Sequence, residues 1–481
     1  KTKKTELEKL YNNALKLEKL KKYRQAITLY LEIWKNKNFD GVAQKKNIKL
    51  PICFNIEPLG SKINVDGYYT KIIKKPNTVI RCEPDFKELT VSYPGYQTYY
   101  FYNAYNYPLA KVITDSKGYT RYPLQDGKID LKFKKTTQWV VKLSKNERSL
   151  VEATPCYIDN KLFVPSRNDN IYVYEKINDE EAPTKIWTWE SKYARLSSFT
   201  SQPVYDKGIL YIGGNNARIY ALDTNRKKLI GVFGSKKSML FKFKPVISKQ
   251  GNIVIFTGSD GVIYLLPLIK TFERKWSPLA KLPTKRKITS APAISGVKFI
   301  IGCNDGNLYC LDIARKRLLW KYTIGRAIYC SPLIHKNDIY IAGNNFLHKI
   351  KLFNGRRISK AKIRGKVYGA PVIKKDKIYI TTNKNLIFCF TKDLKPVWSY
   401  KALGNFRASP VVSDNNILYA GTMKVTENAD FRNTGLLYAI KTDTGKLLWK
   451  YEIRQDLLAS PVIIKGMVIQ AADKLYGFKD N

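Results

Sequence analysis

Histidine is nearly absent from this chain: its 481 residues contain two, His335 and His348. No serine or cysteine nucleophile pattern surrounds either one, so Ser–His or Cys–His chemistry has no visible seat. The two are expected on adjacent strands of one sheet, with His335 a solvated turn residue of "HKND". Cysteine is scarce and scattered. The seven are Cys53, Cys82, Cys156, Cys303, Cys310, Cys330 and Cys389, with no adjacent pair, no CxxC and no zinc spacing. No catalytic residue, metal or cofactor is therefore expected. No run of eighteen apolar residues occurs, which excludes a membrane-spanning helix by pattern. The chain opens on Lys1 rather than Met, and the expectation is a processed, extracytoplasmic chain from which a signal peptide has been removed.

What is present points to strands. Hydrophobic residues make up 44% and aromatic residues 13%, enough for packed cores, and the 33 tyrosines favour sheet over helix. Lys and Arg outnumber Asp and Glu by 85 to 39, a net charge of +46 that favours acidic partners. Lysine is spread through every segment, without a basic arm or a nucleic-acid motif, so a nucleic-acid partner is not expected.

The chain also repeats itself. "LYCLDIARKRLLWKYTI" (308–324) and "LYAIKTDTGKLLWKYEI" (437–453) keep their apolar and aromatic positions in register. Each phrase belongs to a longer unit opened by a dipeptide ending in proline: Thr154-Pro155, Gln202-Pro203, Lys244-Pro245, Ala291-Pro292, Ser331-Pro332, Ala370-Pro371, Ser409-Pro410 and Ser460-Pro461. Proline suits the first residue of a strand, and a small residue precedes it in all but Gln202 and Lys244. The openings fall 39 to 51 residues apart, the length of a four-stranded propeller blade. Turns such as "GGNNA" (213–217), "GSDG" (258–261) and "NDGN" (304–307) offer glycine and asparagine as positive-φ residues for tight hairpins. Trp187, Leu229, Trp276, Leu319, Ile358, Trp398 and Leu448 mark the fourth strands of the first seven blades. The eighth lacks one, and "TQWVVKL" (137–143) supplies it from upstream. The expected fold is mainly β: an eight-bladed β-propeller over 137–481, closed by 137–143, so that no sheet edge is left open.

The "LYALDxxTGKxLW" pattern, carried best by "IYALD" (219–223), "LYCLD" (308–312) and 437–449, resembles the repeat of pyrroloquinoline-quinone-type propellers. Quinoprotein dehydrogenases and the outer-membrane assembly lipoprotein share that repeat. Residues 49–136 resemble a PEGA domain, a small β-sandwich, on "IEPLGSKINVDG" (56–67) and "KELTVSYPGYQTYYF" (87–101), with "PLGS" at 58–61 departing from the motif. Its Asp66-Gly67 reads as a hairpin turn. Residues 1–48 resemble one tetratricopeptide hairpin: Leu10, Ala14, Leu17, Ala26, Tyr30 and Ile33 keep helical spacing across a break at Lys21-Lys22. A single such hairpin must dock on something else, and Tyr23 and Trp34 are its candidate contact residues.

The dehydrogenase members of the resemblance imply adjacent cysteines, a Trp beneath the quinone, calcium ligands and an Asp base. The chain has no Cys-Cys pair, and Cys310, Cys330 and Cys389 stand where other repeats carry small residues, as fillers. Asp223, Asp312 and Asp443 precede turns and are expected to cap their own backbone. One pattern remains. The loops that lead from the outer strand of one blade to the innermost strand of the next carry Arg195, Lys287, Arg326, Lys366 and Arg407, a candidate cationic ring at the mouth of the axial channel. The reading is a non-catalytic scaffold or assembly subunit for protein partners in an extracytoplasmic complex, similar to propellers that organise oxidoreductases into arrays or tubules. The ligand-sensing outer region of a bacterial Ser/Thr kinase receptor is the second reading. A quinone-dependent dehydrogenase is the third.

Overall fold

The computed structural model describes residues 2–20, 23–35, 50–57, 62–65, 69–72, 74, 78–82, 88–92, 99–102, 113–114, 120–121, 128–132, 137–144, 150–191, 198–234, 240–269, 276–283, 287–423, 434–453 and 455–480. It divides into two units, Lys1–Thr136 and Thr137–Asn481.

The first unit begins with helices α1 (Thr2–Lys19) and α2 (Tyr23–Lys35). Leu7, Ala14, Ala26, Tyr30 and Ile33 are buried, whereas Leu10 and Leu17 are only half-buried. Tyr11 and Tyr30 meet edge to face at 5.8 Å, and the Tyr30 hydroxyl donates to Glu18 at 3.1 Å, so the two helices hold each other. The strands of this unit form two larger sheets. In one, Leu50–Glu57 lies between Thr78–Cys82, antiparallel, and Lys128–Lys132, parallel. The other runs in the order Tyr69–Ile72, Lys62–Val65, Glu88–Ser92, Tyr99–Tyr102. Asp66-Gly67 and the motif positions Pro58, Gly60, Gly95 and Tyr96 lie outside the described residues, as do the side chains of Cys53 and Cys82.

The second unit is an eight-bladed β-propeller of antiparallel four-stranded sheets, the seventh extended by the short strand Asn405–Phe406. Blade 1 runs from strand Cys156–Ile158 to strand Thr184–Glu190, blade 2 from Val204–Asp206 to Lys228–Gly234, and blade 3 from Val246–Ser248 to Ala280–Pro283. Blade 4 runs from Ala293–Ser295 to Arg317–Thr323, blade 5 from Leu333–His335 to Arg357–Lys362, blade 6 from Val372–Lys374 to Pro396–Lys401, and blade 7 from Val411–Val412 to Leu447–Ile453. Blade 8 joins Val462–Ile464, Met467–Ala471 and Lys474–Lys479 to Thr137–Lys142, which lies antiparallel to Lys474–Lys479.

The repeated residues have identifiable work. All eight innermost strands begin at the residue after the opening proline, where the missing N–H costs no ladder bond. The small residue before the proline builds a belt around the axis. The Ala291 N–H donates to Ser331 Oγ at 3.1 Å, Ala370 to Ser409 Oγ at 2.8 Å, Ser409 to Ser460 Oγ at 3.0 Å and Ser460 to Thr154 Oγ1 at 3.1 Å. The last of these spans the seam between blades 8 and 1. Gln202 and Lys244 offer no hydroxyl to this belt.

Farther out, tryptophan staples one blade to the next. Trp320 stands opposite Cys310, Trp398 opposite Cys389, Trp449 opposite Ala439 and Trp139 opposite Gly477, a large residue over a small one each time. The indole N–H then reaches into the following blade: Trp320 donates to the Leu352 carbonyl at 3.2 Å, Trp398 to Thr442 at 2.8 Å and Trp139 to Asn178 at 3.0 Å. Gly355 and Gly445 leave room for the ring, since a Cβ there would come within 2.6 Å of Trp320 and 2.7 Å of Trp398. Packing thus explains the scattered thiols Cys310 and Cys389. Burial pushes both up, Cys310 to about 12 and Cys389 to about 11, away from thiolate chemistry.

Four expectations need correction. Trp276 does not mark the fourth strand of blade 3, which is Ala280–Pro283. It lies before that strand, buried, with its N–H on the Pro267 carbonyl at 3.0 Å. His335 and His348 sit on the first and third strands of blade 5, with Asp338–Gly343 between them, because the hairpin after His335 takes only two residues. Asp223 and Asp312 each accept two turn N–H groups, at 2.9–3.0 Å, but Asp443 stands two places later in the repeat and faces Lys377 of blade 6 at 3.4 Å instead. In "GGNNA" the positive φ falls on Ala217 rather than on a glycine or asparagine.

Candidate functional site: the cationic loop face

The loops between blades share one face with the hairpins that join the second and third strands, and those hairpins hold the loops in place. The Asn304 N–H donates to the Lys287 carbonyl at 2.9 Å. In the same way Asn383 donates to the Lys366 carbonyl at 2.9 Å, while the Lys366 N–H returns a bond to Asn383 Oδ1 at 2.8 Å. Around Arg326, Ile324 donates to Gly306 at 2.8 Å and Ile328 to Cys303 at 3.2 Å. Gly306, at φ 79°, allows this fit, because a Cβ would lie 2.7 Å from the Arg326 nitrogen. The loop backbones are fixed by these bonds, and the cations project from a rigid rim.

Two of the five expected cations, Lys366 and Arg407, come together through aromatic partners absent from the sequence reading. Lys366 Nζ lies 5.5 Å from the ring centroid of Tyr329, and the Arg407 guanidinium carbon lies 5.1 Å from that of Tyr368. The two tyrosine rings are 5.3 Å apart at 43°. The result is a row, Lys366–Tyr329–Tyr368–Arg407, across three successive loops. The signal was available in the spacing: Tyr329, Tyr368 and Arg407 each stand three residues before an opening proline. Side chains at one repeat position in neighbouring blades are brought together by the ring itself. Lys287 is exposed one loop earlier. Arg195 lies outside the described residues, as do the side chains of Tyr23 and Trp34.

The cations are exposed and the tyrosines half-buried. Each cation–ring contact in such a setting is worth about 0.5–1 kcal/mol, which narrows the wandering of long side chains before any partner arrives. Arg326 and Lys366 also line a small cleft of ≈ 60 Å³ together with Tyr329, Asn344, Asn345, Ile363 and Val367. None of Arg326, Lys366 and Arg407 forms an ion pair with a described carboxylate.

The opposite face of the same blades differs. There Lys349 pairs with Asp393 at 2.8 Å and Asp338 at 3.3 Å, Lys392 with Asp376 at 3.1 Å, Lys377 with Asp443 at 3.4 Å, and Lys374 with Asp414. These ion pairs lie away from the loop row, whose cations Arg326, Lys366 and Arg407 pair with no described carboxylate. Among the described residues no three His, Cys, Asp or Glu side chains gather closely enough to hold a metal ion, and no helix is long and apolar enough to cross a membrane.

Comparison with known proteins agrees with this architecture. No curated protein matches the sequence. Among solved structures, BamB from Moraxella catarrhalis is similar with a TM-score of 0.55 at 14% identity, over 71% of this chain and 100% of that one. The computationally designed Ika8 protein is similar with a TM-score of 0.54 at 13% identity, over 70% of this chain and 99% of that one. At such identities the likeness establishes the fold alone. The family model described as outer membrane protein assembly factor BamB matches residues 134–393 and 393–478, and the chain belongs to that family.

Proposed function

We propose that this protein is a non-catalytic assembly subunit whose propeller docks an acidic segment of a protein partner on its loop face, within an extracytoplasmic complex. The observation that carries the reading is the row Lys366–Tyr329–Tyr368–Arg407, with Arg326 beside it, held by aromatic contacts and without an ion pair to a described carboxylate, while Lys349 and Lys392 of the opposite face are paired. A prearranged set of cations and ring faces suits carboxylates interspersed with apolar or aromatic side chains. Membership of a family named for outer membrane protein assembly supports both the scaffold role and the extracytoplasmic setting. The PEGA-like and tetratricopeptide-like segments ahead of the ring would add two more docking elements, as in a subunit that organises an oxidoreductase into a larger array.

Photo-crosslinking in the native host tests this. A photoreactive residue at Lys366 should capture a partner whose crosslinked segment is acidic, and one at Lys336, on the opposite face, should not. Capture from Lys336 alone, or of a basic segment, would contradict the reading. Reconstituted with quinone and calcium, the purified protein should oxidise neither alcohols nor sugars, and sustained turnover would replace the scaffold with an enzyme.

A further inference from the structure

The hairpins that clasp the loops follow one rule. In blades 1, 2, 3, 4 and 6 the hairpin between the second and third strands has four residues. Its second N–H donates to the loop carbonyl five places before the opening proline. Arg167 donates to Leu150 at 2.9 Å, Asn215 to Ser198 at 3.3 Å, Ser259 to Leu240 at 3.0 Å, Asn304 to Lys287 at 2.9 Å and Asn383 to Lys366 at 2.9 Å. Blade 5 breaks the rule. Its hairpin is Asn344-Asn345 alone, between Gly343 and Phe346, with φ 49° and 62° as a two-residue turn requires. The carbonyl five places before Pro332 belongs to Ala327, and among the described residues no backbone N–H donates to it. The Asn344 side chain donates instead to the Ile324 carbonyl at 3.3 Å. Two missing residues leave a gap in the clasp.

That gap is the ≈ 60 Å³ cleft, which Ala327, Ala342, Ile363 and Val367 line with aliphatic carbon beside Arg326 and Lys366. A water needs roughly 10–15 Å³, so the cleft has room for about four or five, close to the heavy atoms of one carboxylate side chain. A cavity of about 150 Å³ is the size that holds benzene, and this one is too small for an aromatic ring. Charge selects among the small side chains. Two cations and the amides of Asn344 and Asn345 line the cleft, and no carboxylate does. An acidic side chain can lay its methylene carbon on the aliphatic wall and its carboxylate towards the cations. Blade 8 has an equally short hairpin, Ala472-Asp473. There the counterparts of Arg326 and Lys366 are Gln455 and Leu150, and Asp456 stands for Ala327. Of the two short hairpins, only that of blade 5 has cations at these places.

Building on the loop-face docking proposed above, we propose that this cleft receives a single glutamate or aspartate side chain of the partner's acidic segment, and so sets the register of that segment on the propeller. The test titrates a hexaglutamate peptide into the full chain labelled at isoleucine methyl groups. The Ile363 methyl resonance should shift saturably, and hexaglutamine should leave it in place. Ala327→Leu, which fills the cleft without changing the charge, should weaken hexaglutamate binding at least fivefold. Should that variant fold poorly, a second one exchanges Asn344-Asn345 for Thr-Asn-Lys-Asn, the hairpin of blade 6 (382–385). It closes the cleft with backbone and should weaken binding as much, although it adds a cation. Wild-type affinity in either folded variant, or a saturated complex in which Ile363 does not move, would overturn the cleft as a subsite. Loop-face docking would survive that result if Arg326→Glu/Lys366→Glu/Arg407→Glu still slowed association. Failure of the wild type to bind hexaglutamate would overturn both. Inorganic phosphate that shifts Ile363 as strongly as the peptide would also overturn the proposal, since the cleft would then be a site for small free anions.

Discussion

Trp139 and Gly477 face each other across the seam that closes the ring, so closely that a Cβ on Gly477 would lie 2.3 Å from Trp139 Cε2. The two residues stand at opposite ends of the propeller sequence, and their fit joins the last blade to a strand made more than 300 residues earlier. Gly477→Ala should therefore cost about 1–3 kcal/mol of stability by overpacking. The cost should shrink in a Trp139→Leu background, where the smaller residue gives way. Denaturant titration of the four proteins of the cycle measures this, and strict additivity would mean the seam does not depend on the contact.

The buried thiols give a second prediction. Burial pushes Cys310 and Cys330 up to about 12 and Cys156 and Cys389 up to about 11. In the native protein at pH 8 these four should resist iodoacetamide, and after unfolding they should label at the rate of ordinary thiols. Peptide mass spectrometry follows each site. Rapid native labelling of Cys310 or Cys389 would argue for a reactive role in place of a packing one.

Acid stability gives a third. Burial, together with the cations Arg357 and Lys360, pulls His348 down to about 4, and Tyr322 hydrogen-bonds its Nδ1 at 3.1 Å. The folded site stays neutral where an unfolded histidine, titrating at 6.5, takes up a proton. Stability from this group is complete above pH 6.5 and is lost as pH falls from 6.5 towards 4. His348→Phe should flatten the fall of the melting temperature across that window. An unchanged slope would place the proton uptake elsewhere.

The propeller was legible in sequence because its repeat is written in residues that act locally. Proline starts each innermost strand, and the small or hydroxyl residue before it serves the belt, so eight openings count eight blades. Trp276 misled because its apparent place in the repeat suggested a strand, whereas its ring fills a gap left by Gly231 in the preceding blade. Tertiary packing of that kind leaves no local mark. The loop cations were visible one by one, but reading them by loop rather than by distance from the proline hid Tyr329 and Tyr368. Contacts between neighbouring blades follow repeat position, not proximity in the chain.

The most direct measurement is the association rate of a fluorescent glutamate-rich peptide with three proteins across a range of salt. The wild type is compared with Arg326→Glu/Lys366→Glu/Arg407→Glu on the loop face, and with Lys207→Glu/Lys336→Glu/Lys465→Glu in the first hairpins of blades 2, 5 and 8. Both variants change the net charge equally. Clustered cations attract together, whereas dispersed ones are screened beyond about 8–10 Å at physiological salt. The loop-face variant should bind more slowly and with a shallower salt dependence, while the hairpin variant should stay close to wild type. Equal slowing of both variants, or none in either, would contradict a docking site on the loop face.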